Sequence, residues 1–142
     1  MTEPTRRRFL EMVGGAAALA VGGCSAASPG AFGDVAAGTA SALPVGTVRP
    51  VSGEPVCVAR DAKGVYAMTL TCTHQGCDLS QGSVSAEGIR CPCHGSTFDA
   101  NGDVTRGPAT SPLAHFAVSI DPGGNLTIHG GTEVEASTRL AV

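Results

Sequence analysis

From residue 44 onward the chain is written in short β-type runs separated by turn residues. Residues 45–51 (VGTVRPV) and 54–60 (EPVCVAR) come first, then Asp61, Ala62, Lys63 and Gly64 supply a hairpin turn, and residues 65–70 (VYAMTL) return. A shorter set follows. Residues 83–86 (SVSA) and 89–90 turn about Glu87 and Gly88, while 96–98 (STF) and 103–105 (DVT) flank a turn at 100–102. The last pair, 114–120 (AHFAVSI) and 125–129 (NLTIH), is joined by Asp121, Pro122, Gly123 and Gly124. Side chains two apart on a strand share a face, so Phe116, Val118 and Ile120 are predicted to form one buried face. The pattern predicts an all-β fold: a small antiparallel β domain over residues 44–130, followed by a loose or peripheral tail at 131–142.

The first 43 residues carry no such alternation. Residues 25–43 are rich in Ala, Gly and Ser with Pro29, which predicts a flexible linker. Such a segment has an r.m.s. span of roughly 25 Å and a stretched reach of roughly 65 Å. Residues 1–24 read as an export signal. Arg6 and Arg7, followed by Arg8, Phe9 and Leu10, match the twin-arginine pattern. The Ala/Gly-rich apolar stretch at 13–23 is shorter than the about 20 residues of a spanning helix, which disfavours an uncleaved anchor. Val21, Gly22, Gly23 and Cys24 resemble a bacterial lipobox, in which Cys24 would carry a two-chain lipid anchor. The other reading is an ordinary cleaved signal with an incidental cysteine.

The length of 142 residues leaves room for one domain, and aromatic residues at 4% with 20 glycines suit a loop-rich β fold better than a helix bundle. A formal charge of −3 gives no basis for nucleic-acid binding. So small a domain buries a limited core, so a metal group or a disulfide would help to hold it.

The chemistry is concentrated between residues 72 and 98. The first run is Cys72, Thr73, His74, Gln75, Gly76, Cys77; the second is Cys91, Pro92, Cys93, His94, Gly95, Ser96, Thr97, Phe98. Each holds a Cys–His pair, Cys72 with His74 and Cys91 with His94, and each holds one further cysteine. The arrangement closely resembles the Rieske family, in which two cysteines and two histidines hold a [2Fe–2S] cluster with both histidines on one iron. The resemblance implies that Cys72 and Cys91 bind the buried iron and His74 and His94 the outer one. It also implies a disulfide between Cys77 and Cys93, joining the two loops. Ser96 stands where the family donates a hydroxyl to a bridging sulfide. Arg106, Gly107, Pro108 and Ala109 resemble the family's proline loop, although an ordinary Gly-Pro turn reads the same way. A zinc site is the other use for two Cys and two His, but its spacings usually run C-x2–4-C and H-x3–5-H, and it would leave Cys77 and Cys93 without a role.

Charge counting gives the expected electronics. Two ferric ions, two sulfides and two thiolates sum to zero, so such a cluster accepts an electron more readily than one held by four thiolates. The ferric ion acidifies the far N–H of each imidazole, and reduction relaxes that pull, so an electron should bring a proton with it. Two departures from the respiratory members stand out. Phe98 replaces a tyrosine and so lacks its hydroxyl donor, which implies a lower potential. Gln75 replaces the leucine usual in quinol-oxidising members. His115 and His129 fall on predicted strands and read as structural or exposed, and Cys57 reads as a small buried hydrophobe.

The sequence therefore predicts an exported, lipid-anchored carrier of one electron and one proton, on the outer face of a bacterial cytoplasmic membrane or in a periplasm-like space. It would be an electron carrier or oxidoreductase subunit rather than a stand-alone enzyme. Its partners would be a redox protein donor and acceptor and, through Cys24, the membrane; no nucleic acid is expected. The alternatives are a Rieske subunit of a quinol-oxidising cytochrome bc-type complex and a structural metal-binding lipoprotein.

Overall fold

The computed structural model describes residues 32–142. The expectations for Arg6, Arg7, Cys24 and the first part of the linker lie outside the described residues. Ten strands follow in order: β1 Asp34–Thr39, β2 Thr47–Pro50, β3 Val56–Asp61, β4 Gly64–Thr69, β5 Ser83–Ser85, β6 Gly88–Arg90, β7 Thr97–Phe98, β8 Val104–Arg106, β9 His115–Ile120 and β10 Asn125–Val134. They form two antiparallel sheets, a six-stranded base in the order β1-β10-β9-β4-β3-β2 and a smaller sheet β5-β6-β7-β8.

Strands β3 and β4 organise both layers. Their side chains alternate between two cores, which explains why both read as nearly continuous apolar runs. Val56, Val58, Val65 and Ala67 face a core shared with Leu43, Phe116, Leu126 and Ile128. Cys57, Ala59, Tyr66 and Met68 face the other core, between the sheets, with Leu70, Leu79, Ile89 and Phe98. Cys57 is fully buried there, and burial pushes its thiol up to about 12, so it behaves as the expected small hydrophobe.

Three expectations are corrected. The linker reading of 25–43 fails from residue 34, because β1 pairs with β10 through Val35 opposite Ile128. Val35 and Ala37 turn inward while Asp34, Ala36 and Gly38 stay outside, a two-residue period hidden among small residues. Arg49 of β2 donates to the Ala37 carbonyl at 3.0 Å, and Arg60 donates to Ala40 and Leu43, each at 3.2 Å. These arginines draw the two edges of the base sheet toward each other. Second, the tail at 131–142 is not loose: β10 runs to Val134, and Leu140 exchanges both backbone hydrogen bonds with Val65 at 2.8 Å. Gly64 permits this, since a Cβ there would strike the Leu140 carbonyl. Third, Ile120 is 39% exposed, so β9 does not bury one continuous face. Only its first residues lie against β4, with Phe116 opposite Ala67 and His115 opposite Met68.

His115 is buried, stacks on Tyr66 at 5.8 Å, and uses Nε2 to donate to the Asn101 carbonyl at 2.8 Å. Burial holds its pKa below the ordinary histidine value; the Asn101 bond opposes this, nearby Arg139 adds to it, and Asp103 opposes it. Because the unfolded chain then takes up the proton first, stability is expected to fall as the pH drops below about 6.5 and through the folded value. Urea midpoints measured from pH 7.5 to 5 should fall less in His115→Gln than in the wild type. An equal fall in both would show that other groups carry the dependence.

Candidate metal centre

Two loops protrude from this frame. One, residues 72–77, leaves the end of β4; the other, 91–96, joins β6 to β7. They use the same backbone device. The Cys72 amide donates to the Cys77 carbonyl and the Cys91 amide to the Ser96 carbonyl, both at 2.8 Å. The fifth residue of each is glycine in the left-handed region, Gly76 at φ 75° and Gly95 at φ 76°. A Cβ at either would meet no neighbour within 4 Å, so glycine serves the backbone conformation rather than space. Beyond the first loop, Asp78 caps the single turn Leu79–Gln81 by accepting from the Ser80 amide at 2.9 Å. That turn seats Leu79 in the core beneath the loop.

The sulfurs and imidazoles then sort by depth. Cys72 and Cys91 are each 2% exposed and share one buried cluster, close enough for each sulfur to feel the other. Burial raises the pKa of the Cys72 thiol; its contact with Cys91 adds to this, while the His74 and Gln75 amides donate to the sulfur and oppose it. His74 is half-buried and His94 exposed, with ring centroids 4.9 Å apart, edge to face. Cys77 and Cys93 form a disulfide across the two loops, with Cα atoms 6.5 Å apart. The Cys91 sulfur lies within 4.8 Å of both disulfide sulfurs, but a disulfide offers no thiolate to a metal, so these three cysteines are not a ligand set.

A third segment, 107–112, leans on both loops. The Ala109 amide donates to the Ser96 hydroxyl at 3.0 Å, and the Thr73 hydroxyl donates to the Ser111 carbonyl at 2.7 Å. Ser96 is fully buried, and accepting from Ala109 leaves its own proton free for another acceptor. Gly107 and Pro108 are exposed in the same segment, and Gln75 is exposed in the first loop. Phe98 is buried between the sheets. Thr73 and Leu79 were not singled out from the sequence, because their partners, Ser111 and Leu70, are fixed by tertiary folding.

The remaining histidines stand apart. His129 bridges Asp34 through Nδ1 at 3.0 Å and Ser119 through Nε2 at 2.7 Å. The order Asp–His–Ser is that of a hydrolase triad, but Ser119 is exposed and pairs with Thr127 within β9 and β10, so the chain reads as a clasp on edge strand β1.

The donor set fits a [2Fe–2S] group with mixed ligation. Two buried cysteine sulfurs lie on loops tied by a disulfide, and two imidazoles lie next to each other on the same loops, the soft-sulfur and nitrogen donors that such a group takes. Among the described residues no helix is long and apolar enough to cross a membrane.

Comparison with known proteins agrees with this chemistry. A family model described as the Rieske [2Fe–2S] domain matches residues 34–117. The cytochrome b6-f complex iron-sulfur subunit of Parasynechococcus marenigrum (strain WH8102) is 38% identical over 94 residues, covering 64% of this chain and 52% of that one. The chain thus spans about half the length of the curated relatives it matches. Among solved structures, a chain from the complex of reduced oxygenase and oxidized ferredoxin in carbazole 1,9a-dioxygenase is 32% identical with a TM-score of 0.53, covering 72% of this chain and 97% of that one. The cyanobacterial plasma membrane Rieske protein from Synechocystis PCC 6803 is 30% identical with a TM-score of 0.50, covering 66% and 97%.

Proposed function

The chain belongs to the Rieske [2Fe–2S] domain family, and from that premise we propose that it is a one-electron carrier whose cluster is held by Cys72, His74, Cys91 and His94. The observation that carries the reading is the pairing of two adjacent buried thiols with two adjoining imidazoles on loops tied by a disulfide. When bound, the cluster supplies reversible one-electron chemistry. The chain's own groups do the rest. Burial of Cys72 and Cys91 keeps water from the sulfur side, and the amides of His74 and Gln75 place positive dipole ends at the Cys72 sulfur. Ser96 is held by Ala109 with its hydroxyl proton uncommitted, and a donor to sulfur stabilises the more negative, reduced state. Exposed His94 is the edge a redox partner would reach.

Residues 1–24 support export by a twin-arginine route, with Cys24 as the lipid attachment point and residues 25–31 as the remaining tether, since Phe32 already packs on Phe116. A second reading, a subunit of a quinol-oxidising cytochrome complex, draws support from the cytochrome b6-f relatives and from the disulfide. Gln75 and Phe98 weigh against it. One redox titration followed by EPR tests both. We expect a Rieske-type signal with a midpoint inside the roughly −150 to +300 mV span and below its upper end, because Phe98 brings no hydroxyl. A midpoint near +300 mV together with co-purification of a b-type cytochrome would favour the subunit reading. Iron-free, sulfide-free protein after proper maturation would overturn both readings and leave the structural metal-binding one.

A further inference from the structure

The two ligand loops are attached to the base in different ways. The first grows directly out of β4: Leu70 donates to the Pro55 carbonyl and accepts from the Leu79 amide, both at 2.8 Å. The second sits on the small sheet, and the tip of its returning β7–β8 hairpin folds back onto the base. At that tip Tyr66 donates to the Ala100 carbonyl and His115 to the Asn101 carbonyl, both at 2.8 Å. The third contact comes from the far end of the sequence. Arg139 donates through one terminal nitrogen to the Asn101 Oδ1 at 2.6 Å and through Nε to the Asp61 Oδ2 at 2.7 Å. Its other terminal nitrogen binds the Ala136 and Thr138 carbonyls, and its plane lies 3.9 Å over the Tyr66 ring. The side chain is only 11% exposed.

We propose that Arg139 is a positioning residue for the metal centre, strapping the β7–β8 hairpin to the base and so setting the second ligand loop against the first. The proposal rests on the reading of 72–77 and 91–96 as cluster-binding loops. The path is short in sequence. From Asn101, β7 leads back through Phe98 and Thr97 to Ser96 and His94, and β8 leads forward to Gly107, Pro108 and Ala109, whose amide returns to Ser96. A tilt of this hairpin would move His94 and the Ser96 hydroxyl together, while Cys72 and His74 stayed with β4. A fork is required at residue 139: one planar guanidinium reaches Asp61, Asn101 and two carbonyls and still stacks on Tyr66, which an ammonium cannot do. The Leu140–Val65 bridge holds the tail in place independently, so Arg139 is free to serve the hairpin.

The test compares full-length, cluster-loaded wild type with Arg139→Ala, Arg139→Lys and Asn101→Ala by amide hydrogen exchange and EPR. Exchange in residues 95–109 should rise about tenfold in all three, with residues 72–79 unchanged, as expected when one local unit opens. The EPR lines should broaden in the same variants. Asn101→Ala added to Arg139→Ala should change little beyond Arg139→Ala alone, since the contact between the two side chains is already broken there. Unchanged exchange in 95–109, or an equal rise in 72–79, overturns the proposal. Asn101→Ala leaves the Arg139–Asp61 pair and the Leu140–Val65 bridge of the tail in place and decides the matter alone if the Arg139 variants fail to fold. Should the wild type hold no cluster, the Rieske reading fails, while the exchange comparison between cluster-free chains still decides the strap.

Discussion

Cys91→Ser is expected to mature as a folded but colourless protein, without acid-labile sulfide and without a cluster EPR signal. Cys91 is 2% exposed and shares its buried corner with the Cys72 thiol, so no other free thiol or solvent ligand stands ready to replace it. The described free cysteines are Cys57, Cys72 and Cys91, and Cys57 is the natural control. It faces the same core, but from within strand β3 rather than from either loop, and among the described residues no histidine is brought beside it as His74 and His94 are beside Cys72 and Cys91. Cys57→Ala should therefore keep its full complement of iron and sulfide and show only the modest instability of a shortened core side chain. The loss in Cys91→Ser should exceed the roughly 10–100-fold that removing an outer hydrogen-bond partner costs a metal site. Equal iron content in the two variants would refute the proposed ligand set.

The contrast between these cysteines also shows what was legible in the sequence. Both Cys/His loops are local: Cys72, His74, Gly76 and Cys77 lie within six residues of one another, and the second run is equally compact. A local device with an unusual composition is visible in one dimension. So were the hairpins at Lys63, Glu87, Asn101 and Gly123, because each announces itself by turn residues between apolar runs. The misses share a different cause. Edge strand β1 is built from Val35, Ala36, Ala37 and Gly38, whose small side chains give almost no amphipathic contrast, and its pairing with β10 spans most of the domain. The ordering of the tail by Asp61, Val65 and Asn101 is equally non-local. Ile120 alternates correctly with Phe116 yet ends up exposed, since periodicity specifies a face and not whether anything covers it.

The double variant Cys77→Ser/Cys93→Ser is expected to fold with an unchanged far-UV spectrum, lose about 3 kcal/mol of stability, and release iron markedly faster. The first figure follows from loop closure: the bridge spans 16 residues, and the chain-entropy model assigns about 3 kcal/mol to such a ring. Secondary structure should survive because each loop keeps its own backbone bond, Cys72 to Cys77 and Cys91 to Ser96, and its own seat, Leu79 for the first and the Ser96–Ala109 contact for the second. What is lost is the direct covalent tie between the loops. The tie matters because His94 is exposed and its ring packs edge-on against His74, so water and chelators approach from that side. Replacing both cysteines is essential to the design. A single variant would leave a free thiol close to the Cys91 sulfur, which now lies within 4.8 Å of both disulfide sulfurs, where it could substitute for a ligand and mask the effect. Urea midpoints and the rate of iron capture by an external chelator read the two effects separately. A lowered midpoint with an unchanged capture rate would assign the disulfide to stability alone, and would leave Thr73 and Ser96, through the 107–112 segment, as the groups that keep the loops closed.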